Sequence, residues 1–144
     1  MANVLRISDA ASLALHTTVL LAARQPQLLS TPTIAEALHA SKAHLAKVLQ
    51  RLRRAQLVES VRGPTGGFRL SRPADTITLA EVYEAIEGPV SFSKCLLATP
   101  ICDGDNCILG DMVPTLNARV RAYLSETTVA DVAGVFQHDT EPGK

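Results

Sequence analysis

Tryptophan is absent from this sequence, and the aromatic content is confined to two Tyr and three Phe. A core built here cannot rest on stacked rings. Ala, Leu and Val dominate instead, which favours helices packed on helices. Long apolar runs are missing too: nothing approaches the roughly 20 residues of a membrane span, so no membrane partner is expected. The apolar stretch at 13–23 is interrupted by His16, Thr17 and Thr18, and Arg6 and Asp9 precede it. That is not the pattern of a secretory signal. A cytoplasmic, reducing setting is expected, in which clustered cysteines point to metal binding or redox sensing rather than structural disulfides.

Net charge is also lacking, with 14 Lys/Arg against 14 Asp/Glu over 144 residues. The zero conceals an asymmetry. Residues 42–72 hold eight Lys/Arg and the single acid Glu59, whereas residues 73–144 hold four basic and eleven acidic side chains. A basic segment inside a neutral chain is an electrostatic footprint for phosphate, although a solvated basic helix face would give the same count.

What is present reads as a series of short helices. Residues 8–23 suggest an amphipathic helix with Ala11, Leu15, Val19 and Ala22 near one stripe, broken at Gln25-Pro26. Thr33-Ile-Ala-Glu36 has the form of a capping box that opens a short helix ending near 38–40. Ser41 can cap a further helix to about Arg54, burying Leu45, Val48, Leu49 and Leu52. A short helix joined tightly to one that is basic outside is a helix-turn-helix layout. The second helix is expected to present Ser41, Lys42, Ala43, His44, Lys47 and either Gln50 or Arg51 as DNA contacts.

Two strand candidates follow, 57–62 and 68–71, around Gly63-Pro64-Thr65-Gly66-Gly67. A two-stranded ribbon after a reading helix is a wing, with Arg62 at its base, Arg69 on its outer face and Gly63, Pro64, Thr65 and Gly66 at its turn. A phosphate loop is rejected, because no Gly-Lys-Ser/Thr follows and no helix opens there. Thr78-Leu-Ala-Glu81 caps a helix to about Glu87, stopped by Gly88-Pro89. Leu109, Met112, Val113, Leu116, Val120, Tyr123 and Leu124 recur at helical spacing, with Pro114 tolerable only in the first turn. This long helix is placed to pack on a second copy. Thr128-Val-Ala-Asp131 caps a last short helix. The organisation expected is a winged helix-turn-helix at 1–88, a cysteine-rich loop at 89–108, a dimerisation helix with a short terminal helix at 109–137, and a flexible tail at 138–144. The fold class is mainly α.

All three cysteines lie in that loop, with six residues between Cys95 and Cys102 and four between Cys102 and Cys107. This is neither the ferredoxin run nor a zinc knuckle. Gly104 allows a tight reversal, so the thiols could converge on one metal group that wants soft anionic donors. A thiol switch and a zinc staple remain open beside it. An enzyme is not expected. A cysteine nucleophile needs a nearby base, and His16, His39, His44 and His138 show no arrangement that supplies one.

At this point the chain resembles a known family. Ser60-Val-Arg-Gly-Pro-Thr-Gly-Gly-Phe68 is similar to the wing of the Rrf2 winged-helix transcription regulators, and the 45–58 segment is similar to their reading helix and wing entry. Three Cys after Glu81-Val-Tyr-Glu-Ala-Ile86 match the cluster-binding members. The resemblance implies a homodimeric regulator of operator DNA, with a [4Fe-4S] or [2Fe-2S] cluster near the dimer interface in many members. Other members respond to cysteine metabolism and hold none. Ser41, Ala43, His44 and Lys47 fall where members contact bases, and Arg62 falls on the arginine that enters the minor groove. Ala46 replaces an acidic residue that tunes sequence choice in the iron–sulfur cluster regulator. That branch completes its site with a His where this chain has Gly110. The 6–11 segment looks like the opening helix of the nitric-oxide-sensing branch, whose Asp reaches the partner's cluster. The resemblance therefore implies Asp9 as fourth ligand across a dimer, with Asp111 as runner-up. The macrodipole alone also favours an Asp in a first turn.

Overall fold

The computed structural model describes residues 7–90, 95–97, 99–102 and 106–136. Arg6, Gly104, His138 and the tail at 138–144 lie outside them. Helix α1 spans Asp9–Ala23, α2 Thr31–Ala37 and α3 Lys42–Arg54. Strands β1 (Val58–Val61) and β2 (Gly67–Leu70) form the ribbon. A 3-10 turn at Ala74–Thr76 leads into α4, Leu79–Glu87. After the cysteine segment come α5 (Met112–Glu126), α6 (Val129–Val132) and a 3-10 turn at Ala133–Phe136.

Local chemistry accounts for most boundaries. Ser8 caps α1, its Oγ accepting from the Ala11 N–H at 3.1 Å. Ser41 caps α3 through the His44 N–H, also at 3.1 Å. Thr78 and Thr128 each close a reciprocal capping box, with Glu81 and Asp131 respectively. The start of α2 differs from expectation: Ser30, not Thr33, is the cap, and Thr33 lies inside the first turn. Pro32 explains the shift. In a first turn its missing N–H costs nothing, so the helix extends N-terminally through it.

Helix α1 is also not the one-striped helix expected. Ala11, Leu13, Ala14, Thr17, Thr18, Val19, Leu20 and Leu21 are all buried, because α3, α4, β2, α6 and the last 3-10 turn all pack around it. A helix buried over most of its circumference is a central one, and only the side with Asp9, Ser12 and His16 stays polar and accessible. Helix α3, by contrast, buries only Leu45, Val48, Leu49 and Leu52, each worth about 1.5–3 kcal/mol when fully withdrawn from water.

The ribbon is antiparallel, pairing Val58 with Leu70, Glu59 with Arg69, Ser60 with Phe68 and Val61 with Gly67. Leu29 joins it by a bridge to Phe68, with N–H···O distances of 3.1 and 2.8 Å. The C-terminal part closes on the same core. The Leu79 N–H donates to the Thr127 carbonyl at 2.9 Å, the Val129 N–H to the Ile77 carbonyl at 2.8 Å, and Arg24 Nη1 to the Phe136 carbonyl at 2.7 Å. Helix α5 begins at Met112, so Leu109 precedes it in a turn, and Pro114 falls in its first turn as expected. It packs on α4 with Val113 and Leu124 buried, leaving Met112, Leu116 and Tyr123 exposed. No described helix is long and apolar enough to cross a membrane.

Candidate DNA-reading surface and cysteine site

Ser41, Lys42, Ala43, Lys47 and Arg51 are exposed along α3, and His44 is half-buried at its start. The wing stands next in the chain. The Gly66 N–H donates to the Gly63 carbonyl at 3.0 Å, closing a turn that leaves Gly63, Pro64 and Thr65 exposed. Glycine is required at Gly66, where a Cβ would lie 2.0 Å from the Val61 carbonyl oxygen. Arg62 is exposed where β1 ends and the turn begins, not at the base of the wing as expected, with no ion pair among the described residues. Arg69 is different. Its Nε donates to Glu59 Oε1 at 2.6 Å across the ribbon, so its charge is partly met within the fold. Arg72 is likewise engaged, with Nη2 at 2.5 Å from Glu81 Oε1 and 3.2 Å from the Thr76 carbonyl. Burial pushes the Glu81 carboxyl up, but hydrogen bonds from Arg72 and the Thr78 N–H, with the Arg72 charge, hold it below its ordinary value.

The three cysteines line one cavity of about 700 Å3. Cys95 and Cys107 are half-buried, Cys102 is exposed, and none is disulfide-bonded. The Leu97 N–H donates to Cys95 Sγ and the Leu109 N–H to Cys107 Sγ, each at 3.4 Å. Gly110 also lines the cavity, at φ +61° with open space where a Cβ would stand. It turns the chain from Cys107 into α5, its N–H donating to the Cys107 carbonyl at 2.9 Å.

Among the described residues no three His, Cys, Asp or Glu side chains stand close enough to hold a single ion. Three thiols around one cavity are the soft donors that an iron–sulfur cluster would take, and the described lining holds no carboxylate or imidazole beside them. Asp111 does not line the cavity; its Oδ2 accepts from Thr115 Oγ1 at 3.4 Å. Asp9 lines a different cavity, of about 490 Å3, together with His16, His39, Ser41 and His44. Within one chain, therefore, Asp9 stands beside Ser41 and His44 at the start of α3 and does not line the cysteine cavity. Sequence reasoning missed Asn117 and Arg121, which α5 brings to the cysteine cavity, and His16 and His39 beside Asp9. The signal for the first two was the spacing of 113, 117 and 121 along one helix face.

Comparison with known proteins agrees with this architecture. The Rrf2 family model, described as "Iron-dependent Transcriptional regulator", matches residues 7–134. The HTH-type transcriptional regulator IscR of Sodalis glossinidius is 33% identical over 92 residues, which is 64% of this chain and 56% of that protein. CymR, the global cysteine regulator of B. subtilis, superposes with a TM-score of 0.74 at 26% identity, covering 91% of this chain and 98% of that one. IscR of T. potens shares the fold with a TM-score of 0.71 at 22% identity, covering 97% and 94%. The chain belongs to the Rrf2 family: it is a DNA-binding transcriptional regulator of the winged-helix type, not an enzyme.

Proposed function

We propose that this regulator works as a homodimer whose operator affinity is set by an iron–sulfur cluster, [4Fe-4S] or [2Fe-2S], held by Cys95, Cys102 and Cys107. The observation that carries this reading is the shared cavity of the three thiols, which has no fourth donor of its own chain among its described lining residues. Asp9 of the partner subunit supplies the missing ligand. When bound, the group supplies iron sites open to redox change, oxygen or nitric oxide, and a carboxylate holds one of them less firmly than a thiolate would.

The chain's own residues then provide the coupling. Asp9 shares a cavity with Ser41 and His44 of the reading helix. Its neighbour Ser8 donates a hydrogen bond from Oγ to Glu87, at the end of α4 where the chain enters the cysteine segment. A change at the thiols can thus bias the first turn of α1 and, through it, α3. These are the two ends of a switch that both sites must move. DNA contact falls to Ser41, Lys42, Ala43, His44, Lys47 and Arg51 in the major groove, and to the wing from Arg62 to Gly66 with Arg69.

Anaerobic reconstitution with iron and sulfide, followed by absorption spectra, metal and sulfide counts, and gel-shift titration, tests the reading. The wild-type chain is expected to bind both elements and to change operator affinity with loading. Asp9→Ala should alter the spectrum and abolish that change. A colourless chain, or an Asp9→Ala variant indistinguishable from wild type, would refute the cluster or the ligand respectively. The likeness to CymR favours one second reading, a thiol switch at the exposed Cys102. In that case oxidant alone, with no iron bound, would shift operator affinity.

A further inference from the structure

The cysteine cavity has one wall that the cysteine segment does not make. Val113, Pro114, Asn117, Ala118 and Arg121 of α5 line it, and Arg121 is the one cationic side chain among the described lining residues. This is out of keeping with its surroundings, since residues 73–144 carry four basic against eleven acidic side chains. Arg119 sits two positions earlier on the same helix, about 200° round the axis, and does not line the cavity.

We propose that Arg121 is the counter-charge of the cysteine site: a positioning residue that makes the cavity select anionic contents and holds the three cysteine sulfurs and their cargo together. The physical case is direct. Three sulfurs that line one cavity with Val113, Pro114 and Ala118 repel one another when they bind a group as anions, in a medium poorer in water than bulk. The N–H groups of Leu97 and Leu109 reach Cys95 and Cys107, but amide dipoles offset only part of that repulsion. A guanidinium at the rim supplies a full charge and several donors, without the desolvation of a buried cation, because Arg121 remains exposed. Outer groups of this kind orient ligands and tune how firmly a site holds its metal. The inference rests on the cysteine site of the cluster reading, but it concerns residues that act with or without iron.

That independence sets the test. The metal-free chain is treated with two disulfide reagents, the dianionic dithiobis(nitrobenzoate) and uncharged dithiodipyridine, and the ratio of their rates is taken. Differences in intrinsic thiol reactivity cancel in the ratio, leaving the local charge. Arg121→Gln should lower the ratio about three- to tenfold, as expected for one charge acting on a dianion at the edge of a solvated site. Arg121→Lys should keep it near wild type, and Arg119→Gln should leave it unchanged. Equal ratios in wild type and Arg121→Gln, or an equal fall in Arg119→Gln, would overturn the proposal. In reconstituted protein, Arg121→Gln should lose iron to a chelator several-fold faster, with Arg121→Lys rescuing it; identical release rates in all three would also overturn it. A wild-type chain that takes up no iron would remove the cluster reading, while the reagent ratio would still decide Arg121.

Discussion

Two arginines on one ribbon show how neighbouring side chains come to different tasks. Arg69 faces Glu59 across the register and bonds it at 2.6 Å, while Arg62, at the turn, has no ion pair among the described residues. An exposed pair of this kind is worth about 0–1 kcal/mol to the fold, so its larger consequence is for DNA. Glu59 brings the one acidic charge within residues 42–72, and it occupies the guanidinium that phosphate would otherwise attract. Arg62→Ala should cost about 1–3 kcal/mol of operator affinity, as for a specific groove contact. Glu59→Ala should strengthen binding to any duplex and steepen its salt dependence by about one phosphate contact. Gel-shift titrations of both variants at two salt concentrations would check this. The arginines were visible in the sequence as equals. Their difference depends on which residue stands opposite, and strand register gives that only once the ribbon is formed.

At the scale of elements, the local devices were the readable ones. Ser41, Thr78 and Thr128 cap the helices they were expected to cap, because a cap is settled within four residues. At α2 two overlapping patterns competed, Ser30 with Thr33 and Thr33 with Glu36, and Pro32 decided for the earlier one. The burial of α1 was not readable, since an apolar helix with polar interruptions looks amphipathic until its neighbours surround it. Thr17 shows the cost: it is fully buried, and its Oγ1 finds no partner among the described residues. Replacing it by the isosteric Val removes an unsatisfied hydroxyl, so Thr17→Val should stabilise the fold by about 1 kcal/mol and raise Tm. Helix α4 gives the opposite case. Glu81 joins its cap to Arg72, and these bonds outweigh burial to depress the carboxyl below 4.5. A depressed acid stabilises fully above its unfolded pKa and loses that contribution as pH falls through its folded value. Thermal melts should therefore show wild type losing stability below about pH 4.5 more steeply than Glu81→Gln. The three cysteines were legible as a group, whereas Arg121 joins them only because α5 folds back along the cavity.

For the whole molecule, the question is what covers the surface that a single chain leaves bare. Met112, Leu116 and Tyr123 are 46%, 41% and 56% exposed and lie on one side of α5, while Asn117, Ala118 and Arg121 turn another side to the cysteine cavity. Ile101 and Ile108, within the cysteine segment, are more exposed still, at 87% and 92%. Apolar side chains collected around a candidate site mark a surface that expects a partner. A second copy is the occupant that the proposed cluster site also calls for, because Asp9 lines another cavity of its own chain and is proposed to come from the partner subunit. It would also present two reading helices to two half-sites, as paired winged modules do. Leu116→Glu places a charge in the stripe at a position 41% exposed in the monomer, so the fold should survive. Sedimentation should then show a monomer, and wild type is expected to run as a dimer. Operator affinity should fall by an order of magnitude or more, as one reading head loses the other. The telling comparison is with Asp9→Ala, which should leave the dimer intact and remove only the response to cluster loading. If Leu116→Glu instead stayed dimeric and kept full operator affinity, α5 would not be the contact. The exposed Ile101 and Ile108 would then be the next surface to charge.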